Sequence, residues 1–258
     1  MHKKNLSIKL HSNSLLIIIL MICLQMACKS RVVEPEQVQS KQYELVQTFD
    51  NKPIAATNLI RPYKKALDSL MKMPIATAAI PITKALPESL LGNLVTDKIK
   101  AYYENTYGIK LHALILNQGG LRIELPQGTI TRSMVYELMP FDNELVLFQM
   151  KGIHLFDVLL HIAEKGGMPV SGIEMGIKDK SPQDIKIAGK DFDKNANYMI
   201  ATSDYLFNGG DKFNFSNATG LQYTKLKVRD LIMLSFIAEE QAGKQLSPVL
   251  DRRLYYVQ

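Results

Sequence analysis

The sequence predicts an α+β fold, a single domain with a mixed β-sheet packed by helices. Helical and strand-like periodicities follow one another without strict alternation, which argues against a doubly wound parallel sheet. About 210 residues follow a polar tether, a length compatible with one domain. Two strand-like runs, Leu114-Ile115-Leu116 and Tyr198-Met199-Ile200-Ala201-Thr202, lead into segments with paired glycines, Gly119-Gly120 and Gly209-Gly210.

The elements read in order as follows. Arg61 to Lys72 is a helix, with Pro62 in its first turn and Leu67, Leu70 and Met71 on one side. Ile75 to Ile82 is a strand. Glu88 to Tyr103 is a longer helix whose apolar stripe is Leu91, Leu94, Val95 and Ile99, and Gly108 is placed to stop it. Leu111 to Leu116 is a strand and Ser133 to Leu138 a short helix. The strand Glu144 to Met150 precedes a helix, Gly152 to Ala163, with Leu155, Phe156, Leu159 and Ile162 inward. Strands follow at Ile173 to Ile177, Ile185 to Ile187 and Tyr198 to Thr202. The last helix, Val228 to Ala242, ends at Gly243, and Leu254 to Val257 closes the chain as a strand.

Residues 1–28 read as an export signal rather than as part of the fold. Lys3, Lys4 and Lys9 form a basic start, and Leu15 to Leu24 is an apolar run. That run falls short of the ~20 residues a spanning helix needs and suits a signal h-region. Leu24-Gln25-Met26-Ala27-Cys28 looks like a lipobox, although Gln25 stands where leucine is usual. A plain signal peptide or an uncleaved anchor are the alternatives. Both cysteines, Cys23 and Cys28, lie in this leader, so an exported domain would carry no disulfide and no cysteine metal site. Lipid on Cys28 would hold the protein to a membrane of a bacterial envelope, facing the periplasm or the surface. Residues 29–49 read as a polar tether, with Tyr43-Glu44-Leu45-Val46 a candidate first strand, and residues 50–258 as the domain. The formal charge of +6 falls to +3 once the three leader lysines are removed, and no run of five basic residues occurs. Neither feature supports nucleic-acid binding.

The chemistry concentrates in a few segments. Asp204-Tyr205-Leu206-Phe207-Asn208-Gly209-Gly210-Asp211 places a carboxylate on a glycine turn between aromatic residues. Such a carboxylate can accept hydrogen bonds from paired hydroxyls, and an aromatic face can stack on a base. Taken alone, the segment also reads as a surface turn with a solvated Asp211. Asn117-Gln118-Gly119-Gly120-Leu121-Arg122 adds an amide and a guanidinium, and Met139-Pro140-Phe141-Asp142-Asn143 adds an aromatic behind a proline. Pro87-Glu88-Ser89-Leu90-Leu91-Gly92-Asn93 opens a helix.

These four blocks, in this order and spacing, resemble the C-terminal, nucleotide-recognition domain of the 5′-nucleotidase family, from about Ile60 onward. The resemblance implies that Phe141 and Tyr205 sandwich a base. It implies that Asn117 hydrogen-bonds the base, that Arg122 reaches the ribose and adjacent phosphate, and that Asp211 binds the ribose hydroxyls. Gly119, Gly120, Gly209 and Gly210 would let the chain pass close to the ligand. Without the resemblance, Phe141 reads as a core aromatic beside a turn and Tyr205 as a strand-end aromatic. The family often has an arginine where Ala85 stands, beside Lys84. Lysine supplies charge but not a bidentate fork. Lys212 likewise replaces a residue that is often small.

In the family a separate N-terminal domain carries two metal ions, bound by motifs such as Asp-x-His and Gly-Asn-His. This sequence contains neither motif. His112 lies among apolar strand residues and reads as structural. His154 and His161 are seven apart on one helix, about 10.5 Å along its axis, too far to share a metal. No Gly-x-Ser-x-Gly or phosphate-binding loop motif occurs. The chain therefore reads as the recognition component of a 5′-nucleotidase-type hydrolase, binding no metal or other cofactor itself. Divalent metals are expected on a separate calcineurin-like metallophosphatase chain. The alternative is a non-enzymatic lipoprotein that binds nucleosides or nucleotides.

Overall fold

The computed structural model of the protein describes residues 54–257. The leader with Cys28, the tether and the strand expected at Tyr43 to Val46 lie outside the described residues. The elements in chain order begin with α1 (Ile54–Met71), β1 (Pro74–Ala78), α2 (Leu90–Tyr107), β2 (Ala113–Ile115), β3 (Gly128–Thr131) and α3 (Arg132–Leu138). Next come β4 (Glu144–Lys151), α4 (Gly152–Glu164), β5 (Val170–Ser171), β6 (Ile173–Lys178), β7 (Ser181–Ile187), β8 (Lys190–Asp191) and β9 (Asn197–Ser203). The last are α5 (Asp204–Phe207), β10 (Thr219–Lys227), α6 (Val228–Gln241) and β11 (Leu254–Tyr256), with 3₁₀ turns at Gln118–Gly120 and Gly210–Lys212.

The fold is α+β, and its centre is a mixed five-stranded sheet in the order β10-β4-β9-β2-β5. Strands β2 and β9 run parallel, and the other pairings are antiparallel. A two-stranded sheet, β1-β3, and a four-stranded sheet, β11-β6-β7-β8, accompany it. The period-2 alternation of strand side chains divides the core into two clusters. Leu114, Leu116, Leu145, Leu147 and Ala201 join Leu91, Leu94, Val95 and Ile99 of α2 and Leu231, Ile232 and Phe236 of α6. Ala113, Ile115, Phe148, Met150 and Ile200 join Leu155, Val158, Leu159 and Ile162 of α4, with Ile173, Met175 and Ile177 of β6. The expected apolar stripes of α2 and α4 are therefore the buried faces, except that Phe156 is only half-buried.

Helix α2 is capped as its sequence requires. The Ser89 hydroxyl accepts from the Gly92 N–H at 2.9 Å, and Gly108 ends the helix at φ 71°. Other boundaries differ from expectation. Helix α1 starts at Ile54 rather than Arg61, so Pro62 lies inside it. Strand β1 stops at Ala78, short of Ile82, because Pro81 cannot continue a ladder; Ile82 makes a single bridge to Leu125. Strands β3 and β10 are additional to the elements expected from sequence. Strand β10 is a largely exposed edge strand, so it lacks the alternation that marks a half-buried strand.

The segment leading into β11 is tied to α2 by Arg253. Its guanidinium donates to Asp97 at 2.8 and 2.7 Å, to Asp251 at 2.9 and 2.7 Å, and to the Val170 carbonyl at 2.9 Å. Arg253→Met should cost about 2–3 kcal/mol, the scale of charged hydrogen bonds lost while their acceptors stay partly hydrated. The hydrogen bond from Arg253 holds the Asp251 carboxyl below its usual range, against the opposing effect of burial. A depressed carboxylate stabilises the fold above its unfolded pKa, and that stabilisation fades as pH falls through the folded value. Arg253→Met should therefore lose less stability than the wild type as pH falls below the ordinary aspartate range, about pH 4. Denaturant unfolding at each pH measures this difference.

Candidate functional site

Topology brings three chain segments to one end of the central sheet. Ile115 of β2 pairs with Thr202 of β9 in parallel, and Leu145 of β4 pairs with Ser203 of β9 in antiparallel register. The C-terminal ends of β2 and β9 therefore emerge beside the start of β4. The first segment carries Asn117 to Arg122, the second Tyr205 to Asp211, and the third Phe141 to Asn143. Between them lies a cleft of about 360 Å³ lined by Asn117, Gly119, Arg122, Phe141, Asn143, Tyr205 and Asp211. That volume falls within the ordinary small-molecule range. All five side chains expected to contact a ligand line this one cleft, joined by Asn143, to which the sequence reading assigned no role.

Each segment is shaped by local chemistry. The Ser203 hydroxyl caps α5 by accepting from the Leu206 N–H at 3.3 Å. Gly209 then adopts φ 94°, a conformation that favours glycine. A Cβ on Gly210 would lie 2.6 Å from the Tyr205 ring and 2.5 Å from its carbonyl oxygen, so glycine here lets the ring close onto the backbone. Asp211 follows at φ 52°. The Tyr205 hydroxyl donates to Asp211 Oδ1 at 3.0 Å, and this bond raises the Tyr205 pKa. The ring expected to stack and the carboxylate expected to bind hydroxyls are thus joined directly. The second carboxylate oxygen, Oδ2, is not used in that bond.

The other two segments are braced from behind. A Cβ on Gly120 would come within 2.9 Å of Asn117 Oδ1, so this glycine makes room for the buried Asn117 amide. Lys84, read from sequence as supplying charge but no bidentate fork, donates to the carbonyls of Leu121 and Arg122, each at 3.3 Å. Arg122 is exposed, and its guanidinium donates to the Gly119 carbonyl at 3.4 Å. Arg229 of α6 holds the Phe141 turn: it donates to the Phe141 carbonyl at 3.3 Å and to Asp142 Oδ1 at 2.5 Å. Its guanidinium also lies 4.4 Å over the Tyr136 ring. The hydrogen bond from Arg229, with a second from Lys227, lowers the Asp142 pKa. Sequence reading missed Arg229. Set among Lys225, Lys227 and Asp230 at the start of α6, it reads in sequence as one more surface charge.

Lys212 is exposed. His112 has the structural setting expected of it: its Nδ1 accepts from the Met199 N–H at 2.9 Å, and its ring meets Tyr198 edge-on. A second cavity, about 580 Å³, opens near His112, Asp193 and Tyr198 and contains none of the expected ligand-contacting residues.

Residues 74–218, more than half of the chain, match the family model for the 5′-nucleotidase, C-terminal domain, and the chain belongs to that family. It is 29% identical over 191 residues to the trifunctional nucleotide phosphoesterase protein YfkN of Bacillus subtilis, covering 65% of this chain and 12% of YfkN. It is 26% identical over 187 residues to the cell wall protein Lmo0130 of Listeria monocytogenes, covering 66% of this chain and 24% of that protein. Among solved structures, the 5′-nucleotidase precursor of Thermus thermophilus superposes with a TM-score of 0.65 at 23% identity, over 80% of this chain and 43% of its own. The NAD nucleotidase of Haemophilus influenzae gives a TM-score of 0.59 at 17% identity, over 79% of this chain and 41% of its own. These two likenesses establish the shared fold. The chain spans between about an eighth and a quarter of the length of these curated relatives.

Proposed function

We propose that this protein is the nucleotide-recognition component of a 5′-nucleotidase-type hydrolase. The observation that carries the reading is the cleft itself. Two part-exposed aromatic side chains, Phe141 and Tyr205, line it with the Asp211 carboxylate, the Asn117 amide and the Arg122 guanidinium. The rings stack on a base, Asn117 reads its edge, and Asp211 accepts from the ribose hydroxyls through the oxygen that Tyr205 leaves available. Arg122 reaches toward the phosphate end. Gly119, Gly120, Gly209 and Gly210 shape the backbone around the ligand.

In this reading the chain holds the substrate, and a separate calcineurin-like metallophosphatase chain supplies the divalent metals and the hydrolytic step. Binding energy from base and ribose then orients the phosphate at that second centre. The same reading has the chain exported and anchored through lipid on Cys28. The leader pattern supports export and the anchor, and the likeness to a protein named for the cell wall supports export alone. No helix among the described residues is long and apolar enough to cross a membrane.

The test is phosphate release from AMP in Mn²⁺ or Mg²⁺, paired with calorimetric titration of adenosine and AMP. The chain lacking its leader should bind both ligands and release no phosphate alone, and a candidate metallophosphatase chain should restore turnover. Robust turnover by protein shown free of contaminating phosphatase would overturn the division of labour. Failure to bind either ligand would overturn the recognition role.

A further inference from the structure

We propose that His161 is a positioning residue for the ribose-binding turn, fixing the backbone of Asp211 from beneath the cleft. The inference rests on the reading above, in which Asp211 meets the ribose. His161 stands in the last turn of α4, fifty residues from Asp211 in sequence, and its Nε2 lies 2.9 Å from the Asp211 carbonyl oxygen. A carbonyl only accepts, so Nε2 must carry the proton. The ring meets buried Phe213 edge-on, with centroids 4.6 Å apart, and Nδ1 lies 3.5 Å from Glu164 Oε2.

The anchored carbonyl belongs to the residue that needs an anchor. Asp211 has φ 52° and Lys212 φ 66°, two consecutive non-glycine residues in the left-handed region. Isolated backbone disfavours that region for residues with a Cβ. Asp211 is therefore held by two tethers, Tyr205 on its carboxylate and His161 on its carbonyl. Without the second, the backbone can relax toward an ordinary φ and turn the carboxylate away from the cleft. His161 itself does not line the cleft, so its effect reaches the ligand only through Asp211.

The experiment titrates adenosine and 2′,3′-dideoxyadenosine against wild type, His161→Leu and His161→Gln. His161→Leu should weaken adenosine binding about tenfold, the scale of one hydrogen bond. It should leave the dideoxy analogue nearly unchanged, because that ligand cannot use the carboxylate. His161→Gln retains an N–H donor and should recover most of the loss. Equal losses for both ligands, or a glutamine variant no better than leucine, would overturn the proposal. Ring ¹⁵N shifts of His161 in the ligand-free wild type give a readout independent of ligand. They should show a protonated Nε2, whether or not Nδ1 beside Glu164 is protonated as well, and a ring protonated on Nδ1 alone would overturn the proposal. If the wild type bound neither nucleoside, the recognition reading would fail, while the Nε2 proton would still decide whether His161 holds the turn.

Discussion

Alanine at both Phe141 and Tyr205 should weaken adenosine binding by roughly one and a half to four orders of magnitude. Stacking contributes about 1–3 kcal/mol per base–aromatic contact, and each ~1.4 kcal/mol is a factor of ten. The two rings are 40% and 43% exposed, whereas Phe148 and Phe236 are fully buried. Their exposure leaves surface that a base can cover at little cost to the core. The single variants should differ, because the rings are held differently. Phe141 rides on a turn clamped by Arg229, so Phe141→Ala should remove one stack and leave the rest of the cleft standing. Tyr205 packs on Gly210 and tethers Asp211, so Tyr205→Ala should lose the stack and loosen the carboxylate together. Tyr205→Phe keeps the aromatic face and removes only the tether, and it should fall between wild type and Tyr205→Ala. Calorimetric titration, with thermal unfolding of each variant to exclude global damage, measures the series. An unchanged dissociation constant in the double variant would place the nucleoside elsewhere.

The parts of this fold legible from sequence were those whose side chains face a core. Helices α2 and α4 announced themselves through stripes that are now buried, and α2 through its terminal glycine. Strand β10 did not, because an exposed edge strand has no single apolar face to alternate. The cleft residues were legible only as a pattern of blocks. Nothing local to Phe141 or Tyr205 separates a ligand-facing ring from a strand-end aromatic, and it is the antiparallel pairing of β4 with β9 that brings their segments together, as the parallel pairing of β2 with β9 brings in Asn117. The supports behind the cleft were the least legible. Arg229, Lys84 and His161 act on backbone carbonyls, and a carbonyl leaves no mark in the sequence. His161 and Asp211 lie on different elements, so helical spacing could show only that His161 cannot share a metal with His154.

Asp211→Ala should weaken binding of a ribonucleoside by one to two orders of magnitude. A charged acceptor makes hydrogen bonds of about 1.5–3 kcal/mol, and the carboxylate is positioned to use one oxygen while Tyr205 occupies the other. A 2′,3′-dideoxy ligand lacks the hydroxyls, so the same substitution should cost it little. Titrating both ligands against both proteins forms a double-mutant cycle with the ligand as one partner, which isolates the contact from general damage to the turn. That separation matters because Asp211 also has a structural reading. It sits at φ 52° with its carboxylate bound to Tyr205, and alanine at that φ relaxes without the tether. Asp211→Asn provides the second arm: it keeps the shape and an acceptor for Tyr205 but loses the charge. If hydroxyl recognition is the role, asparagine should retain part of the discrimination between ribose and dideoxyribose, and alanine none. If the carboxylate only organises the Gly209-Gly210 turn, both ligands should weaken equally with alanine and both should recover with asparagine.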